Sequence, residues 1–254
     1  MADNISVCVQ GRVLTLRMER LEKKNALTRA MYLGMIEALK QAEADAAVRA
    51  IVITGAQDCF TAGNDLVDFA NAKPGEPAVA LQYLEVLAAT QKPVIAAVGG
   101  VAVGIGTTML LHCDLVYAAS SARFQLPFVN LGLCPEAGSS FILPALVGQR
   151  RAADLLFLGE PFGADAARDF GIVNEIVSEG ELLTKAGAKA QQLAEKPPAA
   201  LRATKALLKQ GLSGEIKAAM ARETQQFAAL LQGPEAREAM TAFMQRRKPD
   251  FSKF

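Results

Sequence analysis

Histidine, tryptophan and closely spaced cysteines are scarce or missing in this chain of 254 residues. The single histidine excludes any mechanism that needs two histidines, and any metal held by a cluster of them. Tryptophan is absent. The four cysteines show no CxxC spacing, which excludes a zinc ribbon and a thioredoxin-type motif. These residues are His112, Cys8, Cys59, Cys113 and Cys134.

The chain also lacks an excess of charge of either sign. Its 27 Lys and Arg residues nearly balance 26 Asp and Glu residues, for a formal net charge of +1. A surface that neutralises phosphates normally has a clear basic excess, so we expect no nucleic-acid partner. With 51% hydrophobic and only 21% charged residues, the chain is too apolar to be disordered.

A leader sequence and a membrane anchor are not expected either. The first ten residues contain no basic stretch followed by an apolar one, so we predict no signal peptide. Scattered cysteines fit the reducing cytoplasm better than an oxidising compartment. From Pro93 to Cys113 the chain runs for 21 residues without a charge, which is long enough to cross a bilayer. Because this stretch begins with proline and contains four glycines, we predict a buried strand, a glycine loop and a buried helix instead.

Apolar periodicity predicts strands that alternate with helices over about the first 180 residues. A hairpin over 5–18 turns at Gln10-Gly11, and Thr28 is a good N-cap for a helix over 29–45. The other predicted strands share short apolar runs and cover 50–55, 92–98, 114–118, 124–127 and 172–177. The other predicted helices cover 80–90, 105–112, 138–147, 149–158 and 164–170. Such alternation indicates an α/β fold.

Two further segments complete this outline. Residues 67–79, rich in proline and glycine, are predicted to form a mobile connection. From about residue 181 the pattern is helical, with breaks predicted at Pro197-Pro198, at 211–214 and at Gly233-Pro234. The sequence therefore predicts a helical appendage after the α/β core.

Three loops that follow apolar strands are candidates for chemistry: 62–66, 99–106 and 131–140. Glycines in the first two let a ligand approach the backbone and its free N–H groups. The Gly104-Ile105-Gly106 segment is not a dinucleotide fingerprint, because the third glycine would fall at Met109. Each loop alone is equally consistent with a tight turn made for packing.

Together these loops resemble the crotonase, or enoyl-CoA hydratase/isomerase, superfamily from about residue 5 to residue 251. The order and spacing of several blocks carry the resemblance. They are Lys24-Asn25-Ala26-Leu27, residues 60–66, residues 92–98 running on to Cys113-Asp114, residues 131–140, and Gly171-Ile172-Val173-Asn174.

The resemblance implies a core built as a spiral of ββα turns over 1–195, and a helical trimerisation region over 196–254. It implies an acyl-CoA thioester as substrate and a homotrimer or a dimer of trimers as the assembly. No metal and no cofactor is expected beyond the coenzyme A that the substrate carries.

The resemblance also assigns residues. It implies an oxyanion hole formed by the backbone N–H groups of Asn64 and Ile105. In the family a glycine usually stands where Ile105 does, but a backbone donor survives that change. The residues expected to bind the substrate are Lys24, Ala26, Ala62, Gly63, Asp65, Leu66, Gly104 and Phe128.

The family's two hydratase glutamates fall here on Thr108 and Phe128, neither of which is an acid or base at neutral pH. One carboxylate remains nearby, Glu136, in a Pro135-to-Ser140 segment similar to that of peroxisomal-type Δ3,Δ2-enoyl-CoA isomerases. Isomerisation needs a single base, so we expect Glu136 to move a proton from C2 to C4 of a 3-enoyl-CoA.

Other interpretations of the same residues stay open. Glu136 could instead be a first-turn glutamate that interacts with a helix dipole. Asp65 could cap the following helix, and His112 is better explained as a buried residue with its hydrogen bonds satisfied than as a catalytic one. At the level of function, a hydratase or dehydratase with unusual acid and base groups, and an acyl-CoA-binding oligomer without turnover, are the two alternatives.

Overall fold

Ten strands and ten helices are found in the computed structural model, which describes residues 3–56, 59–70 and 78–254. The strands are β1 (Ile5–Gln10), β2 (Val13–Met18), β3 (Ala50–Gly55), β4 (Cys59–Thr61), β5 (Val94–Val98), β6 (Val101–Val103), β7 (Leu115–Ala119), β8 (Arg123–Gln125), β9 (Phe162–Gly163) and β10 (Glu175–Val177).

The helices are α1 (Arg29–Ala44), α2 (Leu66–Ala70), α3 (Val79–Ala89), α4 (Ile105–Thr108), α5 (Ser139–Val147), α6 (Gln149–Leu158), α7 (Ala164–Asp169), α8 (Leu182–Ala194), α9 (Pro198–Leu231) and α10 (Pro234–Met244). Short 3-10 turns cover Leu21–Lys23, Met109–His112, Val129–Leu131, Glu179–Glu181 and Phe251–Lys253.

The strands form two sheets that the chain visits in turn. The first has six strands in the order β1-β2-β3-β5-β7-β10, all parallel except β1. The second has four strands in the order β4-β6-β8-β9, with only β9 antiparallel. The three repeats that begin with β3, β5 and β7 therefore run from the first sheet to the second and on into a helix, so the predicted ββα spiral is confirmed.

Side-chain alternation explains why the central strands are buried on both faces. Ile51 and Ile53 of β3 point into one apolar cluster, together with helix α1, and Val52 points into the other. Helix α8 covers that second cluster with Leu182 and a row of alanines. Because successive residues of a strand face opposite sides, this double burial gives the uninterrupted apolar runs seen in the sequence.

Most of the predicted elements are found. The hairpin turns at Gly11, whose φ of +60° suits a glycine, and the Thr28 hydroxyl accepts the Met31 N–H at the start of α1. The stretch from Pro93 to Cys113 forms β5, β6, α4 and a 3-10 turn. Within the part of the chain that the structure describes, no helix combines the length and apolarity needed to span a membrane.

Four predictions are corrected. The break at 211–214 is wrong: α9 runs through it for 34 residues, because glycine lowers helix stability by only about 1 kcal/mol and packing elsewhere along α9 outweighs that. The short strand β4 covers residues 59–61, just before the predicted loop at 62–66, and the predicted loop at 99–106 contains the short strand β6. The helix predicted over 105–112 changes to a 3-10 turn after Thr108, and the strand predicted over 172–177 covers only Glu175–Val177. A fifth prediction, the mobile connection over 67–79, is wrong at its ends, where 67–70 belong to α2 and Val79 begins α3, and its middle, 71–77, lies outside the described residues.

The C-terminal helices lie on the α/β core, and the partly buried Asp114 ties α9 to it through ion pairs with Lys205 and Lys209. The Lys205 ammonium lies 2.6 Å from Asp114 Oδ2 and also donates to the Lys92 carbonyl at 2.8 Å. Asp114 Oδ2 accepts the Val94 N–H as well, at 2.7 Å. The boundary predicted near residue 195 falls between α8 and α9, but its meaning as a domain boundary stays a prediction.

We expect Asp114→Ala to lower the free energy of unfolding by about 3 kcal/mol, because it leaves the Lys205 ammonium buried without its anion. Urea unfolding measures this change. Asp169→Ala removes a carboxylate 3.3 Å from Arg168 on the surface and is expected to cost less than about 0.5 kcal/mol. Equal effects of the two substitutions would contradict this assignment.

Candidate active site

Two of the predicted loops lie side by side because they leave neighbouring parallel strands. Cys59 and Thr61 of β4 pair with β6, so the chain leaves both strands at the same edge of the second sheet. Two glycines make the approach possible. A Cβ at Gly63 would lie 2.7 Å from the Val103 carbonyl oxygen, and one at Gly106 would lie 2.6 Å from Thr61 Cγ2. The loops could not approach so closely with larger residues at these positions.

Both expected oxyanion donors have N–H groups that remain available. The N–H of Leu27 donates to the Gly63 carbonyl at 2.8 Å, and that of Asp65 to the Leu27 carbonyl at 2.9 Å, which leaves the Asn64 N–H without an acceptor among the described residues. Ile105 is the first residue of α4, after Gly104 with φ +56°, and its N–H likewise has no acceptor there. Free N–H groups at a helix start favour a negatively charged ligand atom.

The segment that contains Lys24 holds the first loop in place. The buried Asn25 side chain donates to the Cys59 carbonyl at 2.8 Å, and the Thr61 hydroxyl donates to the Asn25 carbonyl at 2.7 Å. The Lys24 carbonyl accepts the Ala62 N–H at 2.9 Å. From helix α1, the Tyr32 hydroxyl donates to Asn64 Oδ1 at 2.5 Å. The structure thus brings Lys24, Ala26, Ala62 and Gly63 together around Asn64.

Asp65 caps a helix, as one of the two interpretations predicted. Its Oδ1 accepts the N–H groups of Val67 and Asp68 at 3.0 Å, and its Oδ2 lies 2.7 Å from Arg20 Nη1. Desolvation alone would raise the pKa of this carboxyl, but the Asp68 N–H, Arg20 and the Val67 N–H together hold the pKa below its usual value. These contacts account for the carboxylate without a ligand, so its substrate-binding role stays a prediction. Leu66 follows as the first residue of α2.

Glu136 is the carboxylic acid at this site. The Thr108 hydroxyl donates to Glu136 Oε1 at 2.6 Å. Thr108 lies one turn after Ile105 on α4, so the same short helix presents a free N–H at its start and contacts Glu136 at its end. The carboxyl is thereby placed beside the expected oxyanion hole. Desolvation raises the pKa of Glu136 to about 7, the Thr108 hydrogen bond opposes that rise, and the charge of Glu223 adds to it.

A carboxyl with that pKa can act in either direction near neutral pH. It can take a proton as a carboxylate and return it as an acid without a large energetic preference for one form. The alternative interpretation, a first-turn glutamate of α5, does not match the geometry: α5 begins at Ser139, and the Glu136 side chain contacts Thr108 instead.

The backbone around Glu136 is held in an unusual shape. Ala137 and Gly138 have φ values of +64° and +71°, and such a φ is uncommon for alanine. His112 Nε2 lies 2.8 Å from the Ala137 carbonyl oxygen, which can only accept, so this nitrogen carries the proton. Burial lowers the pKa of His112 to about 4, which keeps the ring neutral. The histidine is therefore a buried, hydrogen-bonded residue that supports the loop.

Two contributors were missed by the sequence interpretation. Thr108 was noted only as a position where the family's hydratase glutamate is replaced, although its side chain contacts Glu136. Glu223 of α9 was not singled out, although it is buried and accepts the N–H groups of Gly138 and Ser140. A signal did exist: Glu223 falls in a helical stripe with Ile216, Met220 and Phe227, and a carboxylate in such a stripe needs a partner.

Two aromatic residues near the site, Phe128 and Phe141, have apolar surroundings. Phe128 is buried in the main core, and its carbonyl accepts the N–H groups of Leu131 and Leu133. Its contact with substrate stays a prediction. Phe141 lines a cavity of about 1120 Å³ between α3, α5 and α9. No group of three or more histidine, cysteine or acidic side chains that could hold a metal occurs in 3–56, 59–70 and 78–254.

Comparison with known proteins agrees with this architecture. Residues 9–253 match the enoyl-CoA hydratase/isomerase family. The chain is 36% identical to 2,3-dehydroadipyl-CoA hydratase from Escherichia coli K12, over 95% of this chain and 96% of that protein. It is 34% identical to enoyl-CoA delta isomerase 2 from Rattus norvegicus, over 96% of this chain and 64% of that protein.

Solved structures give the same result. An enoyl-CoA hydratase/isomerase from Pseudoalteromonas atlantica T6c superposes with a TM-score of 0.93 at 39% identity, covering 98% of this chain and 100% of that one. Matches of this extent and identity establish common ancestry along nearly the whole chain. The protein is therefore a member of the enoyl-CoA hydratase/isomerase family, in the crotonase superfamily.

Proposed function

We propose that this member of the family isomerises 3-enoyl-CoA to 2-trans-enoyl-CoA with Glu136 as the only acid and base. The hydrogen bond from Thr108 to Glu136 carries the proposal, because it places one protonatable carboxyl beside the helix that begins with the Ile105 N–H. The thioester carbonyl oxygen would accept hydrogen bonds from the N–H groups of Asn64 and Ile105.

The reaction then needs only proton movement. The Glu136 carboxylate takes a proton from C2, the C2–H electron pair forms a double bond between C1 and C2, and the carbonyl electrons move onto the thioester oxygen to give a dienolate with its negative charge there. The two N–H groups stabilise that charge, and each such donor typically contributes about 3 kcal/mol to the transition state. The thioester carbonyl then re-forms, the C1–C2 electrons become the new C2–C3 double bond, and the former C3–C4 double bond takes the proton from Glu136 at C4, which leaves the enzyme unchanged.

Hydration would need more catalytic groups at this site than isomerisation does. Adding water across a 2-enoyl-CoA requires one group to activate the water and another to protonate carbon, so two acids are useful. Thr108 and Phe128 stand at the positions of the family's hydratase glutamates. The next carboxylate, Glu223, already accepts two backbone N–H groups. These contacts favour isomerisation, and the presence of Glu136 beside two free N–H groups argues against a binding protein without turnover.

The substrate and the cellular setting follow from the same proposal. Coenzyme A enters as part of the substrate and no separate cofactor takes part. The expected contacts are those of Lys24 and Ala26 with the coenzyme A portion, and of Ala62, Gly63, Asp65, Leu66, Gly104 and Phe128 with the thioester and acyl chain. We place the enzyme in the cytoplasm, where its four unpaired cysteines stay reduced.

Glu136→Gln is expected to lower the kcat for isomerisation on the order of 1000-fold, because it removes the proton-transfer group but keeps its shape. The assay follows the absorbance of the conjugated enoyl thioester, which isomerisation of a 3-enoyl-CoA creates and hydration of a 2-enoyl-CoA consumes. Binding of an acyl-CoA, measured by calorimetry, should change by no more than about threefold.

The matched control is Glu160→Gln, an exposed glutamate that should keep full activity. Full isomerase activity in Glu136→Gln would contradict the role of this carboxyl. Water addition by the wild-type enzyme, with no isomerisation on any 3-enoyl-CoA of a chain-length panel, would support the hydratase alternative instead.

The pH profile provides a separate test. Because Glu136 must be ionised to accept a proton, kcat/KM should fall about tenfold per pH unit below pH 7 and level off above it.

The Thr108 hydroxyl stabilises the ionised form of Glu136, so Thr108→Val should raise the pKa of Glu136 and move the acidic limb of the profile to higher pH. Thr204→Val, which removes only a hydroxyl bonded to the Ala200 carbonyl within α9, should leave the limb in place. A limb that stays fixed or moves to lower pH in Thr108→Val would contradict the assignment.

We further propose that the chain assembles as a homotrimer or a dimer of trimers. Large apolar side chains stay exposed on the C-terminal helices, among them Leu207, Leu208 and Phe243, and such surface is commonly covered by partner subunits. Sedimentation equilibrium should give three or six times the 26.9 kDa chain mass, and a monomer mass at micromolar concentration would contradict this.

A further inference from the structure

Glu223 is a buried carboxylate that the reaction above does not use. It lies on α9 with 6% of its surface exposed. Its Oε2 accepts the Gly138 N–H at 2.6 Å, and its Oε1 accepts the Ser140 N–H at 2.8 Å. Both carboxylate oxygens are therefore engaged by backbone donors that lie more than 80 residues away in the chain.

Those two donors lie at the start of α5, immediately after Glu136. Helix α5 begins at Ser139, and its N-cap residue Gly138 has no side chain with which to cap it. Glu223 supplies that cap from another helix. A carboxylate at a helix N-terminus satisfies unpaired N–H groups and interacts favourably with the helix dipole.

Helix α9 also lies directly against this turn. A Cβ at Gly138 would lie 3.1 Å from Ile216 Cγ2 and 3.4 Å from Met220 Cγ, so the glycine allows α9 to approach. The Glu136 turn is thus held from two directions: Thr108 and His112 hold it from the core, and Glu223 holds it from α9.

We propose that Glu223 is a positioning residue, which fixes the turn that carries Glu136 and places a second negative charge beside its carboxyl. The proposal rests on the assignment of Glu136 as the base. Glu223 does not need to touch the substrate, because its oxygens are already bonded to the backbone of that turn.

The charge of Glu223 has a defined effect on Glu136. The neighbouring carboxylate disfavours a second ionised carboxyl and adds to the rise that desolvation causes in the pKa of Glu136. Within the described part of the chain, the other titratable groups that interact with Glu136 are Tyr32 from α1 and Cys134 from the same loop, and burial raises the pKa of each, so both stay neutral at pH 7. His112 behind Ala137 is neutral as well. Glu223 is therefore the charged neighbour that a substitution can remove.

Glu223→Gln tests both parts of the proposal. The amide keeps the shape and one acceptor, but its NH2 group faces the second N–H, so the turn should shift and kcat should fall roughly 10- to 100-fold. The acidic limb of kcat/KM should move to lower pH by roughly half to one unit, because a negative neighbour is lost. KM for the 3-enoyl-CoA should change by less than about threefold.

Two further variants separate positioning from a general loss of stability. Glu223→Asp keeps the charge but is one methylene shorter, so it should lower kcat and leave the acidic limb near its wild-type pH. Glu215→Gln changes an exposed glutamate on the same helix and should alter neither. If Glu223→Gln does not fold, the Asp variant still decides the positioning part. Wild-type kcat in Glu223→Asp, whose side chain is too short to keep both bonds to the Gly138 and Ser140 N–H groups, would overturn it.

A direct titration keeps this inference distinct from the proposed reaction. In protein labelled with ¹³C at the glutamate carboxyls, with Glu136 assigned through Glu136→Gln, the pKa of Glu136 should fall when Glu223 becomes Gln. If the pKa of Glu136 falls in this way but the wild-type protein has no isomerase activity, the proposed reaction is rejected, whereas the electrostatic effect of Glu223 on Glu136 is supported. Wild-type kcat, an unchanged acidic limb and an unchanged Glu136 titration in Glu223→Gln, with only a lower Tm, would show a purely structural role and overturn the proposal.

Discussion

The parallel pairing of β4, β6 and β8 is the constraint on which the rest of this structure depends. Parallel strands end at a common edge, so the segments that leave them must meet there. The first carries Asn64, the second begins α4 at Ile105, and the third leads through Phe128 to Glu136. Chemistry that needs two N–H donors and one acid is thus assembled from three consecutive turns of the spiral. The Gly63 and Gly106 contacts show how closely the backbone has to approach at this edge.

Two glutamates, Glu136 and Glu223, belong to or contact the same turn, yet their environments differ. Glu223 has a backbone N–H for each oxygen, whereas Glu136 has one hydroxyl and an otherwise desolvating site. A carboxyl with few donors in a desolvating site is pushed toward its neutral form, which is the situation of Glu136. In the proposed mechanism the two acids have different roles: Glu223 holds the turn, and Glu136 gains and loses a proton. Such a division of environments is a general way to assign acid and base roles.

How far the sequence could lead is shown by particular residues. Uninterrupted apolar runs such as Val94–Val98 predicted the buried strands, and Thr28 as an N-cap correctly predicted the start of α1. The short strands β4 and β6 have three residues each, too few for any period to register. Gly211 and Gly214 wrongly predicted a break, since local propensity is weaker than the packing of α9 on α5. The cap that Glu223 provides joins residues more than 80 apart, and neither end shows in its local pattern what it contacts.

The C-terminal helices do more than extend the chain, because they hold the acid from the side opposite to the core. Helix α9 supplies Glu223 to the start of α5, and α10 packs on the turn that precedes Glu136. A Cβ at Gly132 would lie only 2.7 Å from the Ala236 N, so the backbone of that turn and of α10 are in direct contact. A loop that carries a catalytic group is ordinarily a mobile part of a fold. Here the loop proposed to carry one is held from both sides: His112 contacts Ala137, whose φ is +64°, and Glu223 of α9 contacts the neighbouring Gly138. The position of Glu136 therefore depends on the packing of the C-terminal helices against the core. An assembly that stabilises those helices also stabilises the site.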